Sequence, residues 1–218
     1  MYALKCKNYV FDLDGTLLNS MELAVKIVLD YLDEHGVAYK EDIVKILTPL
    51  GFRGISVYYA TELGIPHTPD EIYAVFVERL KKAYAEEMPL KEGVKSTLES
   101  LKARGIRLHV LTASPHIFTD VCLKNRGIYE LFDNVWTAED FGTLKSDVRI
   151  YGELAKRLHV RIEECVLVDD NLRVLKTAKL AGMQTIGVYE PFSEDEWAEI
   201  TQTANRSILR FDALASLK

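Results

Sequence analysis

No stretch of this chain approaches the roughly 18 consecutive apolar residues of a membrane span. The residues ahead of the first strand pattern, Met1 to Lys7, lack the apolar centre of a signal peptide. Neither a membrane protein nor an exported one is expected, and the expected compartment is the cytoplasm. Cysteine is scarce: Cys6, Cys122 and Cys165 stand far apart, with no Cys-x-x-Cys. That offers no zinc site and fits a reducing compartment. Positive charge is in deficit, since 27 Lys and Arg face 33 Asp and Glu for a net charge of -6. A general nucleic-acid binder needs a basic face, so nucleic acid is not an expected partner. His67, His109, His116 and His159 form no metal spacing, and there is no internal repeat or low-complexity tract.

What is present is enough apolar residue, 48% of 218, to bury one large α/β domain or a core plus a lid. The most informative stretch is Asp12-Leu13-Asp14-Gly15-Thr16, at the end of the apolar run Tyr9-Val10-Phe11. In an extended chain residues i and i+2 point to one side, so both acids are expected at one site where a buried strand ends. Two close carboxylates repel unless a cation lies between them or one holds a proton. Asp-x-Asp-Gly also occurs in turns and calcium loops. A calcium hand, however, is flanked by helices, and here a strand pattern precedes the acids.

After residue 90, helical and strand patterns alternate, the signature of a parallel sheet with crossover helices. Val94, Thr97, Leu98 and Leu101 mark a helix closed by Gly105; Arg107 to Thr112 reads as a strand; a helix runs from Pro115 to Gly127. Asn134-Val135-Trp136 is a short strand, and Ile150, Leu154 and Leu158 mark the next helix. Cys165 to Val168 is a buried strand ending in Asp169-Asp170. Leu172 to Ala181 is helical, Gly182 its stop, and Thr185 to Val188 a further strand. From Ser193 a short helix and an edge strand at Ser207-Ile208-Leu209 are expected. Residues 18–88 read as all-helical. Ala24, Ile27, Val28, Tyr31 and Leu32 form one apolar face, capped by Ser20. Thr68-Pro69-Asp70-Glu71 is a capping box opening a second helix, whose face is Ile72, Val75, Phe76, Leu80 and Ala83. The expected domains are an α/β core of 1–17 and 89–218 and a helical cap of 18–88.

Polar residues collect at successive strand ends: Asp12 and Asp14, then Thr112-Ala113-Ser114, then Lys145, then Asp169-Asp170. A parallel sheet gathers such groups in the crevice beyond its carboxyl edge. Each suits a step of phosphoryl transfer. Asp12 can attack phosphorus, and Asp14 can protonate the leaving oxygen and later take a proton from water. Thr112 and the N–H groups near the next helix start can hold phosphate oxygens. Lys145 can neutralise phosphate and nucleophile, and Asp170 can complete an oxygen-rich magnesium site. Alone, each has an ordinary reading as helix cap, loop lysine or helix start; together and in order they point to one site.

These motifs resemble the haloacid dehalogenase superfamily, in its phosphatase-like branch with a helical cap. Asp12 to Thr16 corresponds to the first motif, Val110-Leu111-Thr112 to the second and Lys145 to the third. Val168-Asp169-Asp170-Asn171 with Ala178 to Met183 corresponds to the fourth. The resemblance implies a Rossmann-like parallel sheet with an inserted all-helical cap, Mg2+, and an aspartyl-phosphate intermediate. It implies metal contacts from the Asp12 carboxylate, the Asp14 backbone carbonyl and the Asp170 carboxylate, with Asp169 acting through water or behind them. The phosphate-holding set it implies is Leu13, Thr112, Ala113 and Lys145. Two departures stand out: Ser146 where the family often has Pro after the lysine, and Val174 where it often has another acid. Asp14 is absent from dehalogenases and phosphonate hydrolases, and the Asp-Lys-Thr-Gly-Thr of ion-pumping ATPases is not found. Sugar-phosphate mutases typically place a His where Ala24 stands. The resemblance thus favours a phosphatase for a small phosphorylated metabolite, monomeric or homodimeric, over a phosphomutase or a catalytically silent binding protein. For selectivity, Gly51-Phe52-Arg53-Gly54 is expected between helical stretches, with Arg53 a candidate for binding a substrate carboxylate or second phosphate. Tyr58 and Tyr59 are expected in packing, with a cavity lining as the other reading.

Overall fold

The computed structural model describes residues 6–40 and 42–216; Met1–Lys5, which entered the reading of the N-terminus, lie outside the described residues. The chain forms two compact units, one of Met1–Asn19 with Pro89–Lys218, the other of Ser20–Met88. No helix of the described residues is long and apolar enough to cross a membrane.

In chain order, strand β1 (Asn8–Phe11) comes first. The second unit follows, with helices α1 (Met21–Glu34), α2 (Ile43–Leu47), α3 (Gly51–Thr61) and α4 (Pro69–Lys82). The first unit resumes with α5 (Val94–Ala103), β2 (Arg107–Thr112), α6 (His116–Asn125) and β3 (Asn134–Thr137). It continues with α7 (Arg149–Leu158), β4 (Cys165–Asp169), α8 (Leu172–Ala181) and β5 (Gln184–Val188), and closes with α9 (Trp197–Thr203) and β6 (Arg206–Ile208).

The six strands of the described residues are all parallel, in the order β3-β2-β1-β4-β5-β6. The α/β reading of the sequence is therefore correct. β1 and β4 are buried throughout, which is why they read as unbroken apolar runs rather than alternating ones. On one face Val10, Leu111 and Leu167 meet Ile150, Tyr151 and Leu154 of α7. On the other, Phe11 packs on Phe132 and Phe211, ring centroids 6.3 and 5.9 Å away. The strand order reverses at β1, between β2 and β4. In open parallel sheets such a reversal is where the loops beyond the carboxyl ends part and ligands bind.

The helical unit has a core of its own. Ile27, Val28, Tyr31 and Leu32 of α1, Ile55 and Tyr59 of α3, and Ile72, Phe76 and Leu80 of α4 are buried. Phe76 meets Tyr31 and Tyr59 edge-on at 5.4 and 5.9 Å, and the Tyr59 hydroxyl donates to the Val28 carbonyl at 2.9 Å. Tyr59 is thus a packing residue. The Thr68 capping box forms in full. Two local expectations are corrected. Ser20 stands at the N-cap position of α1, but its backbone is already helical (φ -101°, ψ -20°) and its side chain makes no capping bond; a capping serine needs an extended backbone to turn its oxygen onto the first N–H groups. Gly51 to Gly54 is not a loop between helices but the first turn of α3. Gly54 leaves room for Leu50 there, since a Cβ would come to 3.0 Å of Leu50 Cβ.

Candidate active site

β1 delivers Asp12 to the crevice, and the Asp12 N–H donates to the Val168 carbonyl at 3.0 Å, extending the β1–β4 ladder by one residue. The chain then turns sharply: Leu17 and Leu18 both donate their N–H groups to the Leu13 carbonyl at 2.9 Å. Gly15 has φ +75°, and a Cβ there would lie 2.6 Å from Asp170 Oδ2. Only glycine meets both demands, the left-handed backbone and the room for the Asp170 carboxylate. The buried Thr16 hydroxyl donates to Asp170 Oδ1 at 2.8 Å.

Lys145, only 7% exposed, donates to Asp12 Oδ1 at 2.5 Å and to Asp169 Oδ2 at 2.7 Å. Asp169 Oδ1 accepts the Asn171 N–H at 2.9 Å, and Asn171 caps α8 by accepting from the Val174 N–H. Both Asp169 oxygens are therefore engaged. Burial works against the Lys145 ammonium, but the Asp12 and Asp169 carboxylates outweigh it and hold its pKa well above the ordinary lysine value. Burial also pushes the Asp12 and Asp170 carboxyls upward, as do the neighbouring acids, against the pull of Lys145. The lysine loop keeps its place without a proline after Lys145. The Tyr151 hydroxyl donates to the Lys145 carbonyl at 2.7 Å, and Thr143 donates to Asp147 at 2.9 Å.

At the end of β2, Thr112 is fully buried and its Oγ1 accepts the Ser114 N–H at 3.0 Å. Ala113, between them, is exposed. The Ser114 hydroxyl donates to Asp14 Oδ2 at 2.6 Å, and the Thr119 hydroxyl fixes the Ser114 carbonyl at 3.0 Å. Neither Ser114 nor Thr16 was given a role from the sequence. Ser114 had a readable signal: it follows Thr112 by two, and i and i+2 leave a strand end on the same side. Thr16 lay inside the motif with nothing local to show that its partner is Asp170.

Asp12, Asp169 and Asp170 are all buried, and each offers an oxygen within 4.8 Å of the others. The Lys145 ammonium faces this group of three acids, and the excess of negative charge among the described residues, carried by hard oxygen donors, suits a divalent cation of the magnesium type. Asp12 and Asp170 fit as its holders, since Asp169 is already spent on Lys145 and Asn171.

The remaining candidates have partners of their own. Arg53 pairs with Asp70 at 2.8 Å and lies over the Tyr73 ring at 4.7 Å, at an exposed helix pair of its own unit. A substrate role would require it to give up both contacts. His109 is a packing residue, stacked on Trp136; burial lowers its pKa to about 4. His116 sits between Asp120 at 3.0 Å and Asp140 at 2.8 Å. The hydrogen bond that its ring donates to Asp120, with the one it donates to Asp140, raises its pKa. Because the folded value lies above the unfolded one, this bridge contributes fully below the ordinary histidine pKa of about 6.5 and fades as pH rises through the folded value. His116→Ala is therefore expected to lower the urea midpoint more at pH 5.5 than at pH 9. An equal loss at both would show that the imidazole acts by packing alone.

The pattern of the haloacid dehalogenase-like hydrolases matches residues 9–188. The chain is 28% identical to a phosphoglycolate phosphatase of Colwellia psychrerythraea over 188 residues, 82% of each chain. It is 29% identical to a glyceraldehyde 3-phosphate phosphatase of Methanocaldococcus jannaschii over 228 aligned positions, 97% of this chain and 98% of the other. Its fold superposes on the crystal structure of a candidate beta-phosphoglucomutase from Thermotoga maritima with a TM-score of 0.82, at 22% identity, covering 96% of this chain and 97% of that one.

Proposed function

The chain belongs to the haloacid dehalogenase-like hydrolases, and from that premise we propose that it is a magnesium-dependent phosphatase of small phosphomonoesters that works through an aspartyl-phosphate on Asp12. The observation that carries the reading is the pairing of two acids with two different partners. Asp12 is fixed by a buried ammonium, as a nucleophile should be. Asp14, two residues on, is held by the Ser114 hydroxyl, as a proton carrier should be. The relatives' names, both phosphatases of small phosphorylated acids or sugars, support the reaction class.

In the proposed reaction an Asp12 oxygen attacks phosphorus and the ester P–O bond breaks, the alcohol leaving with the proton of Asp14. Asp14, now a carboxylate, takes a proton from water as that water's oxygen attacks the same phosphorus. The bond to Asp12 breaks, phosphate leaves, and both side chains return to their starting states. Lys145 keeps Asp12 ionised and offsets phosphate charge. Thr112, Ala113 and the Leu13 backbone form the phosphate cradle. A cation held by Asp12, Asp170 and the Asp14 carbonyl supplies Lewis-acid stabilisation of the phosphoryl oxygens when bound. The helical unit, inserted directly after the first motif, is assigned the choice of substrate.

The test is release of inorganic phosphate from a panel of sugar phosphates, nucleotides and phospho-acids. Turnover is expected with Mg2+, lost on chelation and restored by the metal; undiminished activity after exhaustive chelation would remove the metal from the reading. A hexose 1-phosphate separates hydrolysis from a mutase reaction, because a mutase returns the 6-phosphate. Ser114→Ala should lower kcat roughly tenfold with KM little changed, the loss expected for one hydrogen bond to a charged acceptor at about 1.5 kcal/mol. A rise in KM alone would place Ser114 in substrate binding instead.

A further inference from the structure

A buried phenol sits on the peptide that carries the site lysine. Tyr151, near the start of α7, is fully buried, and its hydroxyl donates to the Lys145 carbonyl at 2.7 Å. The Val174 carbonyl lies 3.5 Å from the same oxygen. A phenol has one proton to donate, so the shorter contact is the bond. Val174 belongs to the first turn of α8. Its N–H is held by Asn171, whose own N–H donates to Asp169. Tyr151 therefore stands between the backbone of the lysine and the helix start that fixes one of the lysine's two acids. The ring is packed with Val10, Leu111, Ile150, Leu154 and Leu167, and a close-packed ring does not follow a loop that shifts. Burial holds the phenol well above the ordinary tyrosine value, so the hydroxyl keeps its proton and stays a donor at neutral pH.

What this bond restrains follows from the loop itself. Lys145 must place Nζ between Asp12 and Asp169 at the end of a flexible four-carbon stem. The next residue is Ser146, which leaves φ free where a proline would fix it. The Asp147 N–H donates to the Leu144 carbonyl, and Asp147 accepts from Thr143 and from the Arg149 N–H, each at 2.9 Å. Those bonds close the loop upon itself; the Tyr151 bond ties it to the packed core. We propose that Tyr151 is a positioning residue for Lys145, its hydroxyl holding the Lys145–Ser146 peptide so that the ammonium stays between Asp12 and Asp169. This rests on the phosphatase reading above, in which Lys145 keeps Asp12 ionised and offsets phosphate charge. Both effects weaken as the ammonium moves away.

Tyr151→Phe keeps the ring and removes only the hydroxyl. With an aryl phosphate and Mg2+, kcat should fall about tenfold, less than the roughly 100-fold that a 1 Å misplacement can cost, and KM should change by less than about threefold. The same exchange made in Lys145→Met should alter kcat by less than about twofold, because no ammonium remains to be placed. Tyr59→Phe is the control for stability alone. It removes the same kind of bond, hydroxyl to the Val28 carbonyl, from the core of the helical unit, so the urea midpoint should drop while kcat stays within about twofold. Far-UV circular dichroism establishes that each variant is folded, and the two tyrosine variants decide the matter alone if Lys145→Met does not fold. Unchanged kcat in Tyr151→Phe overturns the proposal, as does a Tyr151→Phe protein that no longer folds. An equal loss with and without Lys145, or an equal loss in Tyr59→Phe, also overturns it. A folded parent that hydrolyses no phosphoester overturns the phosphatase reading itself and this proposal with it.

Discussion

Asp12→Asn should abolish turnover, by at least about 10⁴-fold in kcat, while leaving the protein folded and no less stable. The amide has the shape of the carboxylate but not its nucleophilic oxygen, so no acyl phosphate can form. Its carbonyl can still accept from Lys145, and β1 loses nothing from its ladder, because the bond to Val168 comes from the backbone N–H. In the metal-free protein the exchange removes a carboxyl that burial, with Asp169 and Asp170 beside it, already pushes toward its protonated form. The urea midpoint in chelator should therefore hold or rise. Activity within tenfold of the parent would sink the covalent mechanism. A collapse of the midpoint would instead show Asp12 to be needed for folding.

Lys145→Met should have the larger effect on stability. The lysine is the shared counter-charge of Asp12 and Asp169, and neither acid is exposed. Removing one partner of a buried pair leaves an uncompensated charge, at about 3–5 kcal/mol. The sign with pH follows from the carboxyls. Asp12 has a folded pKa above its unfolded value, so the folded state binds the proton more tightly and stability falls as pH rises through that range. Without Lys145 the pull that opposes this shift is gone, so the variant should approach the parent near pH 4 and fall furthest behind at pH 7 to 8. The Lys145 ammonium stays charged over this span, because the Asp12 and Asp169 carboxylates, against burial, raise its pKa. Mg2+ should recover part of the loss by supplying charge of the same sign. Catalysis should fall by about 10²–10³-fold, the usual scale for one preorganised electrostatic contact. Matching denaturation curves at pH 5 and 8 would refute the role given to this lysine.

The single-charge logic of these two variants was legible in part before any geometry. The apolar runs of β1 and β4, the glycines closing α5 and α8, and the Thr68 capping box depend on neighbours within a few residues. Periodicity and spacing therefore determined them. So did the order of acids, threonine and lysine at strand ends, since a parallel sheet has only one edge at which its carboxyl ends collect. Ser20 shows the limit even for local reading: the residue type suits a cap, yet its backbone adopts helical angles and the hydroxyl caps nothing. Contacts between distant segments had no such signal. Ser114 meets Asp14 across 100 residues and Thr16 meets Asp170 across 154. Lys91 meets Glu190 through the packing of a linker on the end of β5. Arg53, free in the sequence to serve a substrate, is held by Asp70 and Tyr73 because α3 and α4 pack together. Local pattern sets strand and helix, and with them which chemistry gathers at the sheet edge. Which oxygen faces which donor depends on burial and strand order that no local window contains, so those pairings exist only in the folded chain.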